Sequence, residues 1–207
     1  MRSLRLITPP SDEPLMVSDV VTWTQDNGGK VAEVYKTTIS RRRHTVESKL
    51  RIALLTQTWE LTLDENDAKS AILIPRPPLQ SITSVKTISG STGAETTVSS
   101  SLYRVVTANP PHLGKIILLD GQTWGSDIAT DAGMVITFVA GYGDNPSDIE
   151  DVAPSLFTGL LELMEFSRVH RGAGVMGGQR DPERMDTPRE VRRILSEMIH
   201  FEAVRGE

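Results

Sequence analysis

The stretch Thr58-Trp59-Glu60-Leu61-Thr62-Leu63 alternates polar and apolar residues, which is the two-residue rhythm of a β-strand with one buried face. From Lys30 to about Leu55, by contrast, apolar residues recur at steps of three or four, which predicts a long amphipathic helix. The period changes after Thr56. This change predicts a helical region that is followed by a β region.

Six further candidate strands follow, separated by turn residues such as glycine, proline, asparagine and serine. They are residues 71–74, 82–88, 95–98, 102–107, 115–119 and 134–140. Seven short strands within about 80 residues predict a small sandwich or barrel. The Pro75-Arg76-Pro77-Pro78 segment cannot donate a ladder of hydrogen bonds, so it predicts an edge or a crossing between two sheets.

A second long helix is expected after the β region. Asp148 or Asp151 is predicted to cap it, Pro154 is accommodated in its first turn, and it runs to about His170. Apolar residues cover most of its circumference, which indicates a helix packed between others, including the Lys30–Leu55 helix.

The two ends of the chain are expected to be less compact. Three prolines among the first 14 residues predict an extended arm that can reach a neighbouring protein. Ser18 and Asp19 are predicted to cap a short helix over Val20–Gln25. The glycine-rich stretch that begins at Arg171 predicts a flexible linker.

The last segment of the chain carries a helix signature. Thr187-Pro188-Arg189-Glu190 is a capping box with proline at the first helical position. A narrow apolar stripe follows, opposite Arg192, Arg193 and Glu197. The stripe contains Val191, Leu195, Met198 and Ile199. A short amphipathic helix behind a loose linker typically docks on a partner protein.

The predicted fold class is therefore α+β, with a helical bundle body, an inserted small antiparallel β domain and a tethered C-terminal helix. The expected segments are an arm over 1–17, a helical body over 18–55 and 148–171, a β domain over 56–147, a linker over 172–186 and a docking helix over 187–207.

Composition excludes several classes of protein. The chain of 207 residues contains no cysteine, which excludes disulfides, thiolate nucleophiles and sulfur-ligated metal sites. Its apolar runs are far shorter than the roughly 20 residues that a membrane helix needs, and no signal peptide is expected. The net charge of −5 argues against indiscriminate nucleic-acid binding, because duplex affinity comes largely from lysine and arginine.

No catalytic or metal-binding pattern stands out. The four histidines are far apart, and the acidic stretch Asp64–Asp67 lacks the glycine and terminal glutamate of a calcium loop. A serine elbow of the GxSxG type is absent, and the glycine-rich segment lacks the lysine of a phosphate-binding loop. We expect no enzyme, no metal and no cofactor.

Arg41-Arg42-Arg43 is the densest basic feature, and its side chains span about 200° of a helix. Three interpretations remain open. Glu47 pairs along the helix with Arg43 and Arg51 at four-residue spacing, the arginines form a subunit contact, or they contact a DNA backbone.

Several segments, in their order, are similar to the head-to-tail connector, or adaptor, family of tailed phages and their prophage and gene-transfer-agent relatives. The similar segments are Leu4–Pro10 with Glu13-Pro14, Ala53–Leu61, Ile74–Val85, and Val135–Gly143 with Pro154. The chain departs from the family pattern over Thr22–Arg43 and after Gly172.

This resemblance implies a non-catalytic virion protein of the head-tail neck that is assembled in the host cytoplasm. About twelve copies would form a ring below the portal, a stopper or tail-completion protein would bind the other side, and genomic DNA would pass through the lumen. Arg41–Arg43 and the C-terminal stripe are the expected subunit or portal interface, with the portal favoured for the stripe. The alternatives are a nucleic-acid-binding module using Arg41–Arg43 and a ligand-binding β domain, for which Trp59, Trp124 and Tyr142 are few and scattered.

Overall fold

A computed structural model describes residues 3–25, 32–108 and 112–169. The chain divides into two compact units, a β unit of residues up to 11 with 51–144, and a helical unit of residues 12–50 with those from 145 onward. Every strand of the described residues lies in the β unit, and every α-helix lies in the helical unit. The predicted α+β class is confirmed.

The β unit contains two antiparallel sheets, one of five strands in the order β1-β2-β8-β4-β5 and one of three in the order β3-β7-β6. The strands are β1 (Ser3–Thr8), β2 (Gln57–Leu63), β3 (Ala71–Leu73), β4 (Leu79–Ile88), β5 (Glu95–Thr97), β6 (Tyr103–Val106), β7 (Lys115–Leu118) and β8 (Met134–Ala140). Strands β2 to β8 fall within or overlap the seven predicted segments.

The two sheets share one apolar core. Along the central strand β8, Met134, Ile136, Phe138 and Ala140 are fully buried and alternate with partly exposed residues. The same core takes residues from the smaller sheet, for example Ile116 of β7. This arrangement corresponds to a sandwich, because side chains on the inner faces of both sheets bury each other.

Strand β1 was not expected from the sequence. Residues 3–8 are extended, as the neighbouring prolines indicate, but they pair with β2 at the edge of the five-stranded sheet, with Leu4 opposite Leu61. The predicted arm over 1–17 therefore contains a strand of the β unit. The partner strand β2 is more than 50 positions away, and a six-residue segment is too short to show a periodic pattern that would predict this pairing.

The proline segment between β3 and β4 does cross between the sheets, as predicted. Strand β3 belongs to the smaller sheet and β4 to the larger one. The peptide bond between Pro77 and Pro78 is cis. The Pro77 carbonyl accepts a hydrogen bond from the backbone N–H of Ala53 at 3.0 Å, which fixes the crossing against the segment that precedes β2.

The helical unit contains α1 (Val17–Thr24), α2 (Ala32–Leu50), α3 (Pro146–Val152) and α4 (Pro154–Val169). Helix α1 begins before the caps predicted at Ser18 and Asp19. Asp19 instead lies in the first turn, where its carboxylate accepts a hydrogen bond from the Met16 backbone N–H at 3.1 Å. The carboxylate satisfies one of the donors that every helix start leaves free.

Helix α2 ends at Leu50, five residues before the predicted end at Leu55. Arg51, an expected partner of Glu47, follows with φ of 53°, which terminates the helix. The next backbone groups bond within the β unit, where the Thr56 N–H donates to the Gly143 carbonyl at 2.9 Å. Residues 52–55 continue the apolar pattern of a helix but are buried as part of the β unit.

The single helix predicted up to His170 is two helices. Asp148 supports the start of α3, accepting a hydrogen bond from the Asn145 backbone N–H at 2.9 Å. Helix α3 ends at Val152, and Pro154 opens α4, because proline has no N–H with which to continue the α3 ladder. Helix α4 packs against α1, α2 and α3, as its wide apolar coverage predicted.

Candidate functional site

Arg43 lies on the buried side of α2, where two carboxylates neutralise it. Its Nε donates to Glu13 Oε2 at 2.9 Å, and its Nη1 lies 3.3 Å from Glu47 Oε2. The side chains of Arg43 and Glu47 are only 8% and 9% exposed. A buried charge is tolerated when such partners compensate it. The predicted pairing of Arg43 with Glu47 is confirmed, whereas Glu13 is a partner that no local spacing indicates.

Arg42 connects two helices. Its Nε donates a hydrogen bond to Ser167 Oγ at 2.8 Å, which links α2 to α4 within the helical unit. Ser167 Oγ in turn donates to the Leu163 carbonyl. Burial lowers the pKa of the Arg42 guanidinium, because desolvation disfavours its charged form.

Arg41 differs from its two neighbours because its side chain is exposed to solvent. The three arginines therefore occupy three environments and do not form one basic patch: Arg43 is paired internally, Arg42 bonds to α4, and Arg41 is accessible. Their assignment to a subunit or portal interface stays a prediction, and Arg41 is the member of the three that a partner could most readily reach.

A groove of about 640 Å³ lies between α1, α3 and α4. We call it the α1–α3–α4 groove. Apolar and acidic side chains dominate its walls, and they include Met16, Trp23, Phe157, Leu161, Asp19 and Glu150. Met16 is 54% exposed and Trp23 is 47% exposed. Large apolar side chains left open at a concave surface are typical of protein-binding sites.

The groove was not predicted from sequence, because its walls come from segments more than 120 positions apart. The exposed tryptophan in α1 is the local signal that could have indicated it. The predicted docking residues Val191, Leu195, Met198 and Ile199, and the linker before them, lie outside the described residues.

The structure describes no metal centre. Across residues 3–25, 32–108 and 112–169, no three His, Cys, Asp or Glu side chains come together as ligands. The acidic stretch forms a 3-10 turn over Glu65–Asp67, and Asp64 accepts a hydrogen bond from the Ala132 N–H at 2.9 Å. None of the described helices has the length and apolar character that crossing a bilayer requires.

The aromatic residues of the β unit are engaged in packing. The Arg76 guanidinium lies 4.9 Å from the centre of the Trp59 ring. The Trp124 indole N–H donates to the Lys69 carbonyl at 2.8 Å, and its ring lies 5.9 Å from that of Tyr103. Trp59 and Trp124 contact different residues. These contacts do not support the alternative in which both side chains line one ligand-binding pocket.

A polar cluster marks the loop after β4. Ser89 and Ser91 donate their hydroxyl protons to Asp127 Oδ2 at 2.5 Å and 2.6 Å. These hydrogen bonds lower the pKa of the Asp127 carboxyl, because they stabilise its charged form. The cluster fixes an exposed loop, and its lowered pKa makes the Asp127 carboxylate a weaker base towards the two serines.

No protein-family model matches the chain. No curated protein matches it either. Among solved structures, a chain in the neck of an empty gene transfer agent particle, computed with C6 symmetry, superposes with a TM-score of 0.71 at 16% identity, covering 95% of this chain and 94% of the other. The chain shares the fold of a gene transfer agent neck protein.

Two further structures agree with that fold. A chain of the native gene transfer agent virion gives a TM-score of 0.66 at 18% identity, with 94% of each chain covered. A chain of the native neck, computed with C12 symmetry, gives 0.61 at 17% identity, with 92% of this chain and 93% of the other covered. The expected likeness to the connector family and its gene-transfer-agent relatives is confirmed at the level of the fold.

Proposed function

We propose that the chain is a head-to-tail connector, or adaptor, subunit in the neck of a tailed phage or phage-like particle. Copies form a ring below the portal, and a stopper or tail-completion protein binds the opposite side. The protein acts by binding and carries out no reaction. It belongs to the virion, and before assembly it is present in the host cytoplasm.

One observation carries this proposal: the fold likeness to a neck chain extends over 95% of the protein. Both units therefore have counterparts in that chain. The similar necks were computed with C6 and C12 symmetry, which supports a ring of identical copies, about twelve in number. The connector segments recognised in the sequence support the same assignment independently.

A closed ring requires a heterologous interface, in which one patch on each copy fits a different patch on the next. We assign the contacts with neighbouring subunits or the portal to Arg41–Arg43 and to the C-terminal stripe of Val191, Leu195, Met198 and Ile199. Genomic duplex DNA passes through the lumen without sequence-specific binding. The net charge of −5 suits such a passage, because a strongly basic wall would retain the phosphates.

Electron microscopy of the purified protein tests the ring. We expect rings either with the protein alone or after it is mixed with the portal protein of the same particle. If neither sample contains rings, the connector assignment is wrong.

Pull-down with the same portal protein tests the C-terminal contact. Deleting residues 180–207 should reduce portal binding, and so should Leu195→Asp with Met198→Asp in the intact chain. Glu197→Ser is the matched control, because it alters the opposite face of the predicted helix and should leave binding unchanged. Portal binding that survives the deletion would show that another surface makes this contact.

A further inference from the structure

The α1–α3–α4 groove exposes apolar surface that a folded chain normally covers. Trp23 and Met16 are each about half exposed, and Phe157 and Leu161 form an apolar wall behind them. Tryptophan and methionine are enriched at the centres of protein interfaces, where a partner removes them from water. An apolar concavity is the kind of surface on which an amphipathic helix docks.

The acidic side chains near the groove indicate the charge that its binding partner should carry. Helices α1 and α3 together carry Asp19, Asp148, Glu150 and Asp151, and neither helix contains lysine, arginine or histidine. Glu150 and Asp151 are exposed and form no ion pair with the described residues. Two of these acidic residues, Asp19 and Glu150, line the groove beside its apolar side chains, which favours an amphipathic helix with a basic residue at the edge of its apolar stripe.

One segment of this chain has that chemistry. The sequence from Thr187 to Phe201 predicts a helix with an apolar stripe, and Arg192, about 100° around the helix from Val191, borders that stripe on its polar side. Residues 170–186 separate this segment from the end of α4, and a fully extended chain of that length spans at most about 60 Å. The segment can therefore reach a groove on an adjacent molecule.

We propose that the α1–α3–α4 groove binds residues 187–201 of the neighbouring copy. The inference rests on the proposed function, because a ring supplies the neighbour. Groove and segment are two different surfaces of one chain, as a heterologous interface requires. Each copy would hold the next through this contact, with the stripe against Trp23 and Arg192 beside Glu150. Deletion of residues 180–207 then lowers portal binding because the ring that binds the portal no longer forms.

Disulfide trapping tests the contact directly, because the natural chain has no cysteine. A full-length chain with Thr22→Cys in the groove is mixed with a longer, tagged chain with Ser196→Cys and then oxidised. We expect a mixed, disulfide-linked dimer. Thr92→Cys, on an exposed loop of the β unit, replaces the groove position as control. Thr158→Cys is a second groove position in case Thr22→Cys fails to fold.

Charge reversal gives a second measurement. Glu150→Lys should lower the trapped fraction about threefold, and Arg192→Glu in the tagged chain should restore it. Three results would overturn the proposal. Mixed dimers could be no more abundant than with the Thr92→Cys control, or a double variant with Thr22→Cys and Ser196→Cys could form its disulfide only within one chain. The third is a Ser196→Cys chain that forms a disulfide only with added portal protein.

Electron microscopy of the same samples separates this inference from the connector assignment. Rings that lack the mixed link would overturn the groove contact and leave the connector assignment intact. A mixed link without rings, whether or not portal is present, would support the contact and count against the connector assignment.

Discussion

The guanidinium of Arg43 on α2 donates to the carboxylate of Glu13 across 2.9 Å, joining residues that are 30 positions apart. Glu13 lies in the segment before α1, so the bond holds that segment against α2 within the helical unit. Glu47 supplies the second carboxylate. Arg43, the last arginine of the basic motif Arg41–Arg43, therefore uses its charge inside the protein.

Arg43→Ala should lower the free energy of unfolding by about 2–4 kcal/mol, because it removes the guanidinium that pairs with the carboxylates of Glu13 and Glu47. Glu13 contributes less, since its side chain is 32% exposed and water can solvate it. Arg41→Ala is the matched control on the same helix, with an expected change within about 0.5 kcal/mol. Urea unfolding followed by circular dichroism measures both, and equal effects would contradict this account of Arg43.

The tryptophans of the β unit offer a matched pair of substitutions. Trp124→Phe removes the hydrogen bond to the Lys69 carbonyl. Trp59→Phe removes an indole N–H that has no acceptor among the described residues. We expect Trp124→Phe to lower the free energy of unfolding by about 1 kcal/mol more than Trp59→Phe. A larger loss for Trp59→Phe would mean that its N–H has an acceptor after all.

Gly141, immediately after β8, should not tolerate a side chain. Its φ is 136°, and an added Cβ would overlap the Leu55 carbonyl. We expect Gly141→Ala to cost about 3 kcal/mol or more. Gly93→Ala is the control, because Gly93 also has a positive φ of 71° but faces open space. That change should cost only about 1 kcal/mol in thermal or urea unfolding.

Tyr142 should make stability depend on alkaline pH. Burial raises the pKa of its hydroxyl to about 12, compared with about 10 in an unfolded chain. The folded state therefore keeps the proton more strongly, so this contribution is complete below about pH 10 and is lost as the pH rises towards 12. Tyr142→Phe should remove a loss of about 2 kcal/mol between these limits.

Urea unfolding of the natural chain and of Tyr142→Phe at about pH 8 and about pH 11 measures that difference, since other titrating groups are common to both. Identical pH dependence of the two proteins would show that Tyr142 is not protected from ionisation.

Duplex DNA should not bind through the arginines of α2. Arg43 is neutralised by two carboxylates, and Arg42 is bonded to Ser167. At about 150 mM salt we expect no retention of a DNA duplex in a filter or gel-shift assay. Binding that weakens steeply with salt and is lost on Arg41→Ala would instead favour a nucleic-acid-binding module.

Local patterns predicted most of the regular structure. Strands β2 to β8 follow from two-residue alternation and turn residues, because both signals are contained within a few neighbouring positions. The pairing of Arg43 with Glu47 follows from helical spacing for the same reason. The assignment of Arg41–Arg43 and of the C-terminal stripe to an interface is still a prediction from sequence.

The tertiary structure alone decided which partners meet across long stretches of chain. Strand β1 joins β2, Glu13 reaches Arg43, and α1 meets α3 and α4 around a groove. Such long-range contacts produce no periodic pattern of apolar residues in the sequence around them. Residues 52–55 show the physical reason most plainly: their apolar pattern fits a longer helix, but the hydrogen bonds that Ala53 and Thr56 donate to Pro77 and Gly143 end that helix at Leu50. The sequence by itself determined that these residues are apolar and would be buried. Only tertiary packing decided which residues they are buried against.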